Sequence, residues 1–253
     1  MSLQSRIWSH IIQSCGIDLT KKVSYITSKQ IKNAKYSWQG VNNQFEPRLL
    51  CKMDTLESRP DIFKEHDICL LSVKNGLYAL LRENIYIPLN VYKTAPNLIQ
   101  ETSGSMLLDI GDSEMTVLDK LHYNNILERI IGEKILYGPL LGGRHRCEFD
   151  TNIGDISLSI QGSQYETDGC YETENTVCIV EVKSSLCNNF NIRQLYFPFR
   201  EVYKKVNNIK KIIALFICKD RERNIHIYKY KWGNYLNMKD IELIGYFKYI
   251  LKS

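Results

Sequence analysis

The sequence predicts a mixed α/β protein, with a mixed central sheet flanked by helices and a smaller α+β region before it. Two observations carry this prediction. Apolar residues recur at helical spacing in some segments but alternate or run continuously in others, and the two kinds of segment follow one another along the chain. The chain of 253 residues is long enough for one domain of ordinary size with a smaller companion. Its 44% hydrophobic and 24% charged residues are typical of a globular protein with a buried core.

The first part of the chain combines short helices with a hairpin. A cap at Thr27 or Ser28 precedes one helix, and Arg59-Pro60-Asp61 begins another. The predicted elements are helices at 7–14, 29–32 and from 60, and strands at 67–72 and 76–81 around a Lys74-Asn75-Gly76 turn. Residues 37–47 are predicted to be a loop and residues 88–105 a connector. Helices followed by a hairpin resemble a helix-plus-wing unit, which can enter a DNA groove.

The second part alternates helices with strands. The predicted elements are a helix at 115–136 ended by Gly138-Pro139, strands at 147–152, 156–160, 164–168 and 177–183, a helix at 190–206 that includes Pro198, a buried strand at 212–218 and an edge strand at 225–230. This order predicts an accessory N-terminal domain over 1–109, which would help to recognise DNA, and a catalytic domain over 110–253.

Composition excludes some classes of protein and leaves others open. No stretch approaches the roughly 18–20 apolar residues of a membrane span, and no signal-peptide pattern is present, so we expect a cytoplasmic protein. None of the eight cysteines forms a CxxC pair, which favours free thiols over a zinc site. Residues 201–253 carry 12 Lys or Arg against 5 Asp or Glu, a net charge of +7 that is compatible with contacts to phosphates.

The segment from Gln161 to Arg200 contains the chemically informative residues. Glu181 and Lys183 lie two residues apart at the end of the apolar run CIVEVK, so a strand would direct both side chains to one face. A hairpin turning at 172–175 would bring Asp168 beside them. Two carboxylates bind Mg²⁺, and a neighbouring lysine can orient water or stabilise an oxyanion, as phosphodiester hydrolysis requires. The structural alternative is a surface ion pair on an edge strand, with Asp168 as a turn residue.

Residues 161–200 resemble the core of the PD-(D/E)xK nuclease superfamily, and specifically its type II restriction endonucleases. The matching residues are Asp168, the triplet Glu181-Val182-Lys183 and the following helix with Gln194. The resemblance implies a restriction-endonuclease-like core, Asp168 and Glu181 as ligands of Mg²⁺, Lys183 as the water-activating group and Gln194 as a further catalytic residue. Thr167 stands where the motif is named for proline, and Pro198 replaces the tyrosine that some members have four residues after the glutamine.

Other polar residues are candidates for a supporting role. Gln164 and Glu166 would share the face of Asp168 on a regular strand. Glu128 or Glu133 would reach the metal from the preceding helix. For each of these residues the alternative is a polar side chain that faces solvent. Candidate DNA-binding residues are Arg144, Arg146, Arg193 and Arg200. Lys29, Lys32, Lys35, Arg48 and Lys52 are candidates for a DNA-reading surface in the first part of the chain.

These features together predict a Mg²⁺-dependent, sequence-specific endonuclease acting on double-stranded DNA. The resemblance implies cleavage to 5′-phosphate and 3′-hydroxyl ends by a homodimer or a monomer. Two alternatives remain. One is a repair or recombination nuclease on the same fold, and the other is a DNA-binding regulator without catalysis, which would bind DNA in a salt-sensitive way but not cleave it.

Overall fold

A computed structural model of the chain is mixed α/β and describes residues 2–40, 45–93, 95–100, 113–207 and 211–252. The helices of this part are α1 (Leu3–Ser14), α2 (Ser28–Asn33), α3 (Pro47–Leu50), α4 (Asp61–Glu65), α5 (Glu114–Tyr123), α6 (Ile126–Ile131) and α7 (Arg193–Lys205), with a 3-10 helix at Ala34–Ser37. Its strands are β1 (Val23–Thr27), β2 (Cys69–Lys74), β3 (Leu77–Leu81), β4 (Tyr86–Pro88), β5 (Asn97–Gln100), β6 (Tyr137–Leu140), β7 (Gly143–Ile153), β8 (Ile156–Thr167), β9 (Gly169–Glu172), β10 (Thr176–Lys183), β11 (Asn189–Asn191), β12 (Lys211–Lys219), β13 (Ile225–Trp232) and β14 (Ile241–Lys252). No helix of the described chain is long and apolar enough to cross a membrane.

The larger of the two main sheets is mixed, as predicted. Its strand order is β5-β14-β13-β12-β10-β9-β6. Strand β10 runs antiparallel to β9 but parallel to β12, and β12 is antiparallel to β13. A parallel pair needs a crossover connection, and the segment between β10 and β12 contains α7.

Helices cover both faces of this sheet because side chains alternate along its strands. On β10, the buried side chains of Cys178, Val180 and Val182 pack in one cluster with α5 and α6. Ile179 points the other way, into a cluster that includes Leu195 and other buried residues of α7. Glu181 and Lys183 have the same parity as Ile179, so they lie on the face covered by α7.

The second sheet joins the two parts of the chain. Its order is β1-β3-β2-β8-β7, so strands before residue 82 and strands after residue 142 belong to one sheet. Ser163 of β8 donates its hydroxyl to the backbone oxygen of Ser72 on β2 at 3.0 Å. One core cluster likewise contains residues of β2 and β3 together with residues of β7, β8 and α7. The sheet and this core contain residues from both sides of residue 109. The division there into a recognition domain and a catalytic domain therefore remains a prediction about function.

Most of the predicted N-terminal elements are present. The helix begun by Thr27 has a capping box, in which the Thr27 hydroxyl accepts from Gln30 N and the Gln30 side chain accepts from Thr27 N. Of the predicted loop at 37–47, residues 41–44 lie outside the described residues. The predicted connector includes β5, which pairs with β14; its positions 94 and 101–105 are outside the described part.

The predicted order of helices followed by a hairpin is present. Strand β3 lies between β1 and β2, and β2 pairs with β8 at Lys74 and Gln161. A hydrogen bond from Ser28 N to Gly76 O at 2.8 Å holds the hairpin turn. The helix-plus-wing interpretation therefore remains a prediction.

The predicted helix at 115–136 is two shorter helices. Asn125 has a φ of 57°, a left-handed conformation that separates α5 from α6. Gly132, with a φ of 89°, then ends α6 well before Gly138-Pro139. The apolar spacing continues across the break because both helices pack against the same face of the large sheet. Periodicity alone therefore did not reveal the interruption.

Two predicted strand arrangements also differ. The strands expected at 156–160 and 164–168 form the continuous strand β8, in which Gly162 has a φ of 73° near a register shift between Cys147 and Glu148. Strand β13 was predicted to be an edge strand but is internal, because β14 pairs along its other side. All eight cysteines are free thiols, in agreement with the prediction, and Cys178 and Cys218 are buried.

Candidate active site

The β9–β10 hairpin brings Asp168 to the end of β10. Val180 is paired with Gly169, so the residue before Gly169 stands next to Glu181. The turn between the strands is closed by Thr173, whose backbone N–H donates to Thr176 O at 2.9 Å. Thr167, in the place of the motif's proline, is buried and donates its hydroxyl to Val180 O at 3.2 Å. The hairpin that the sequence predicted therefore forms.

Four predicted side chains meet at this end of the sheet. Glu181 Oε1 accepts from Lys183 Nζ at 2.5 Å and from Gln194 Nε2 at 2.8 Å. Asp168 Oδ2 accepts from the backbone N–H of Val182 at 2.6 Å. Strand β10 is internal and Glu181 is only 7% exposed. The alternative of a surface ion pair on an edge strand is therefore wrong.

Burial of the carboxylates destabilises their charged forms. Burial raises the pKa of Glu181 to about 7; Lys183 opposes this rise, whereas Asp168 and Glu114 add to it by repulsion. Burial also raises the pKa of Asp168, against the hydrogen bond from Val182. Burial alone would lower the pKa of Lys183, but attraction and a hydrogen bond to Glu181, together with attraction to Glu114 and Asp168, outweigh it and raise that pKa. The cluster thus has an excess of poorly solvated negative charge, which a cation would relieve.

Glu114 is a member of the cluster that the sequence did not reveal. It is the first residue of α5, and its Oε1 accepts from the backbone N–H of Ser184 at 3.2 Å. It lines the same cleft as Glu181 and Lys183. The only local signal was the helix start at Ser113, whose hydroxyl caps α5.

The acidic residues predicted to reach the site from this helix region lie elsewhere. Glu133 accepts from the hydroxyls of Thr173 and Thr176, at 2.6 and 2.9 Å, and so braces the hairpin turn at the far end of β10. Glu128 accepts from the backbone N–H of Ile135 at 2.9 Å. Both have structural partners, and neither lines the cleft at Glu181.

An open cleft of about 470 Å³ gives access to the cluster. One wall is formed by β8, where Gln164 and Glu166 line the cleft as polar candidates, and by the start of α7. Another part of the wall comes from α3 and the residues after it. The basic residues along the cleft are Arg48, Lys52, Arg144, Lys183 and Arg193. Lys29, Lys32 and Lys35, which the sequence grouped with Arg48 and Lys52, do not line it.

The four predicted DNA-binding arginines have different surroundings. Arg144 lines the cleft and pairs with Glu166 at 2.6 Å. Arg193 also lines it and donates through Nη2 to Gln164 O at 3.0 Å. Arg146 is exposed on β7 and has the same strand parity as Arg144.

Arg200 differs from the expectation of a DNA contact. It is 7% exposed, and its Nη1 donates to Asp150 O at 3.1 Å and to Tyr235 O at 2.8 Å. Its guanidinium also lies over the ring of Phe149, 4.9 Å from the centroid. These contacts make it a bridge between core elements, so we correct its predicted role.

The side chains at the cluster suit a hard divalent cation. Within the described ranges, no group of three or more His, Cys, Asp or Glu side chains forms a ready-made metal site. Mg²⁺, however, is commonly held by one or two carboxylates while water and substrate phosphates complete its shell. Asp168 and Glu181 supply such carboxylates. Gln194 Oε1 adds a buried oxygen that has no hydrogen-bond partner among the described residues.

Comparisons with known proteins place the chain in a family without assigning an activity. Residues 6–80 match a domain of unknown function, DUF6996, and residues 77–250 match a second one, DUF6997. No curated protein and no solved structure matches the chain. The DUF6997 match covers more than half of the 253 residues, and the chain therefore belongs to the DUF6997 family of domains of unknown function.

Proposed function

We propose that this protein is a Mg²⁺-dependent endonuclease that hydrolyses phosphodiester bonds of double-stranded DNA. The observation that carries the proposal is the convergence of Asp168, Glu181 and Lys183 at one end of β10, where Glu181 and Lys183 line a cleft open to solvent. The large energetic penalty of burying such charges makes a purely structural role a poor account of them.

The surrounding topology supports the same proposal. Helices α5 and α6 precede the strands that lead to Asp168, and β10 carries Glu181 and Lys183. Helix α7 then supplies Gln194 and connects to β12, the parallel neighbour of β10. This order of helix, strands, helix and strand is what the resemblance to PD-(D/E)xK nucleases implies. We therefore extend the proposal to a restriction-endonuclease-like core in the second part of the chain.

Each residue of the cluster has a distinct task in the proposed reaction. Asp168 and Glu181 would hold Mg²⁺, with Glu114 adding negative charge beside them. When bound, Mg²⁺ supplies positive charge to the phosphate and acidifies nearby water. Lys183 would orient the attacking water and donate to the oxygen on which charge develops. Gln194 donates to Glu181 and fixes the direction of its carboxylate.

The biological form that we propose is sequence-specific cleavage, as by a type II restriction endonuclease. It rests on the resemblance of residues 161–200, whereas the chemistry rests on the cluster itself. A repair or recombination nuclease would use the same cluster on branched or damaged DNA. The non-catalytic regulator remains the alternative, and it gives no reason for the meeting of Asp168, Glu181 and Lys183 at one end of β10.

The test is digestion of unmethylated plasmid and phage DNA by purified protein with Mg²⁺. Wild type is compared with Glu181→Ala and Lys183→Ala, and with Lys64→Ala, an exposed lysine on α4, as the matched control. We expect discrete fragments with wild type and the control, and a loss of cleavage of at least 100-fold in both cluster variants, on the scale of lost catalytic groups.

Measurements of folding and of DNA binding show whether a loss of cleavage comes from unfolding, from weaker binding or from the chemical step. Circular dichroism and duplex binding in Ca²⁺ should be retained by Lys183→Ala. Cleavage that is unaffected by either cluster substitution, or its absence on duplex, branched and single-stranded DNA, would contradict the proposal. Cleavage confined to branched DNA would support the same chemistry in a repair nuclease.

A further inference from the structure

Part of the wall of the cleft comes from the N-terminal part of the chain. Pro47 and Arg48 of α3, and then Cys51, Lys52 and Asp54, line the cleft together with Glu181 and Lys183. None of these residues belongs to the segment that resembles a nuclease. The site is therefore formed by both parts of the chain, although its proposed chemistry resides in only one.

This wall is held against the catalytic elements by buried polar contacts. Asn189 of β11 accepts from the backbone N–H of Leu56 at 2.6 Å, and its amide donates to Glu57 at 2.9 Å. Asn191 donates from its backbone to Asp54 O at 2.9 Å and from its side chain to Met53 O at 3.3 Å. Strand β11 leads directly into α7, so the same short segment positions both the wall and Gln194.

Helix α3 is also held in place by a contact with α1. Leu50 is buried, and its backbone oxygen accepts from the indole N–H of Trp8 on α1 at 3.1 Å. The Trp8 ring is fully buried against Phe63, with 4.8 Å between the ring centroids. Arg48 is thus an exposed side chain on a fixed support, and its position relative to Glu181 is set by the fold.

The charge of Arg48 is not neutralised within the described chain. Its guanidinium has no hydrogen bond or ion pair with a described residue, whereas Lys52 pairs with Asp54 at 3.7 Å and Arg144 pairs with Glu166. Arg193, which also lines the cleft, uses only Nη2, in its bond to Gln164 O. Two guanidinium groups with unused donors thus line the cleft, and a guanidinium can bind phosphate oxygens through two donors.

We propose that Arg48 binds a backbone phosphate of the DNA strand that lies in the cleft. This inference rests on the proposed function and assigns to the N-terminal part a direct share in holding the substrate. The contact is to phosphate, so it positions the strand over Glu181 without selecting a base. Lys at this position would retain the charge but lose the two-donor geometry.

The test measures binding without cleavage. A fluorescent 30-base-pair duplex is titrated with full-length protein in Ca²⁺ at several salt concentrations, using wild type, Arg48→Ala, Arg48→Lys and Arg129→Ala. Arg129 is an exposed residue of α6 that does not line the cleft. We expect Arg48→Ala to bind several-fold more weakly, with a slope of log K against log salt that is smaller by about 0.9, the change for one phosphate contact. Arg48→Lys should retain the wild-type slope, and Arg129→Ala should match wild type throughout.

The outcomes separate this inference from the function on which it rests. Equal slopes and affinities for wild type and Arg48→Ala, with cleavage by wild type intact, would overturn the role of Arg48 alone. An equal loss in Arg129→Ala would also overturn it, because the effect would then be one of overall charge. Failure of wild type to bind or cleave any DNA would overturn the proposed function and this inference together.

Discussion

Replacing Glu181 with Gln should make the protein more stable at pH 8. The burial that raises the pKa of Glu181 to about 7 makes its ionised form unfavourable in the folded chain. Glutamine has nearly the same shape, can accept from Gln194 and Lys183 through its amide oxygen, and carries no charge. The substitution therefore removes the penalty and keeps most of the packing.

The magnitude follows from the difference between about 7 and the ordinary value of 4.5. Each pH unit of that difference corresponds to 1.36 kcal/mol, so the ionised carboxylate lowers stability by about 3 kcal/mol at pH 8. The variant leaves the Lys183 ammonium without an anionic partner, which offsets part of the gain. We expect a net gain of about 1–3 kcal/mol, or roughly 2–12 °C in Tm for a chain of this size.

The dependence of this stability gain on pH identifies the ionised carboxylate of Glu181 as its cause. Below pH 4.5 the carboxyl is protonated in both the folded and the unfolded chain, so it imposes no penalty. The penalty develops as the pH rises from 4.5 through about 7 and is complete above that range. The advantage of Glu181→Gln should therefore fall to about 1 kcal/mol or less at pH 5.

Thermal unfolding at pH 5 and pH 8 measures this directly. Glu174→Gln, at an exposed turn residue, is the matched control and should leave Tm unchanged at both pH values. Equal Tm values for wild type and Glu181→Gln at pH 8, or an advantage that persists undiminished at pH 5, would refute the argument that burial makes this carboxylate unfavourable.

Three further predictions concern the cluster and its support. Mg²⁺ must bind the ionised carboxylate, so calorimetry should show about tenfold weaker binding at pH 6 than at pH 8; equal affinities would contradict a pKa near 7. Glu114→Gln should weaken Mg²⁺ binding because it removes a negative charge beside Glu181, whereas Glu128→Gln should have no effect in the same titration. Asn189→Ala should lower the free energy of unfolding in urea by about 2–3 kcal/mol, because it leaves the Leu56 N–H and the Glu57 carboxylate without this partner. The control for that measurement is Asn33→Ala, which should unfold like wild type.

The β9–β10 hairpin was predictable because its signals are local. Alternation over two residues puts Glu181 and Lys183 on one face, and a polar turn places Asp168 beside them. The Thr27 capping box was predictable for the same reason, since it spans only four residues. In each case the residues that determine the geometry are close together in the sequence.

Glu114 could not be found in this way, and although Arg48 and Lys52 were candidates for a DNA-reading surface, their place at the cleft beside Glu181 could not be predicted. Glu114 approaches Glu181 only after α5 packs against the large sheet, and nothing in its own neighbourhood distinguishes it from other glutamates at helix starts. Arg48 reaches the cleft through contacts between α1, α3 and β11, elements that are distant in sequence. Strand β14 was missed as a partner of β13 because strand pairing depends on the whole sheet.

The five-stranded sheet contains strands from both parts of the chain, so it limits where the polypeptide can be divided into fragments. The two family matches overlap at residues 77–80, within the β2–β3 hairpin. A fragment beginning at Leu77 would retain β3 but lose β1 and β2, the two strands hydrogen-bonded to it. The sequence of β3, LYALL, is uncharged and apolar, and a strand of this kind with both edges open is a template for aggregation. Insolubility of the fragment that begins at Leu77 would therefore reflect a severed sheet rather than a defective domain.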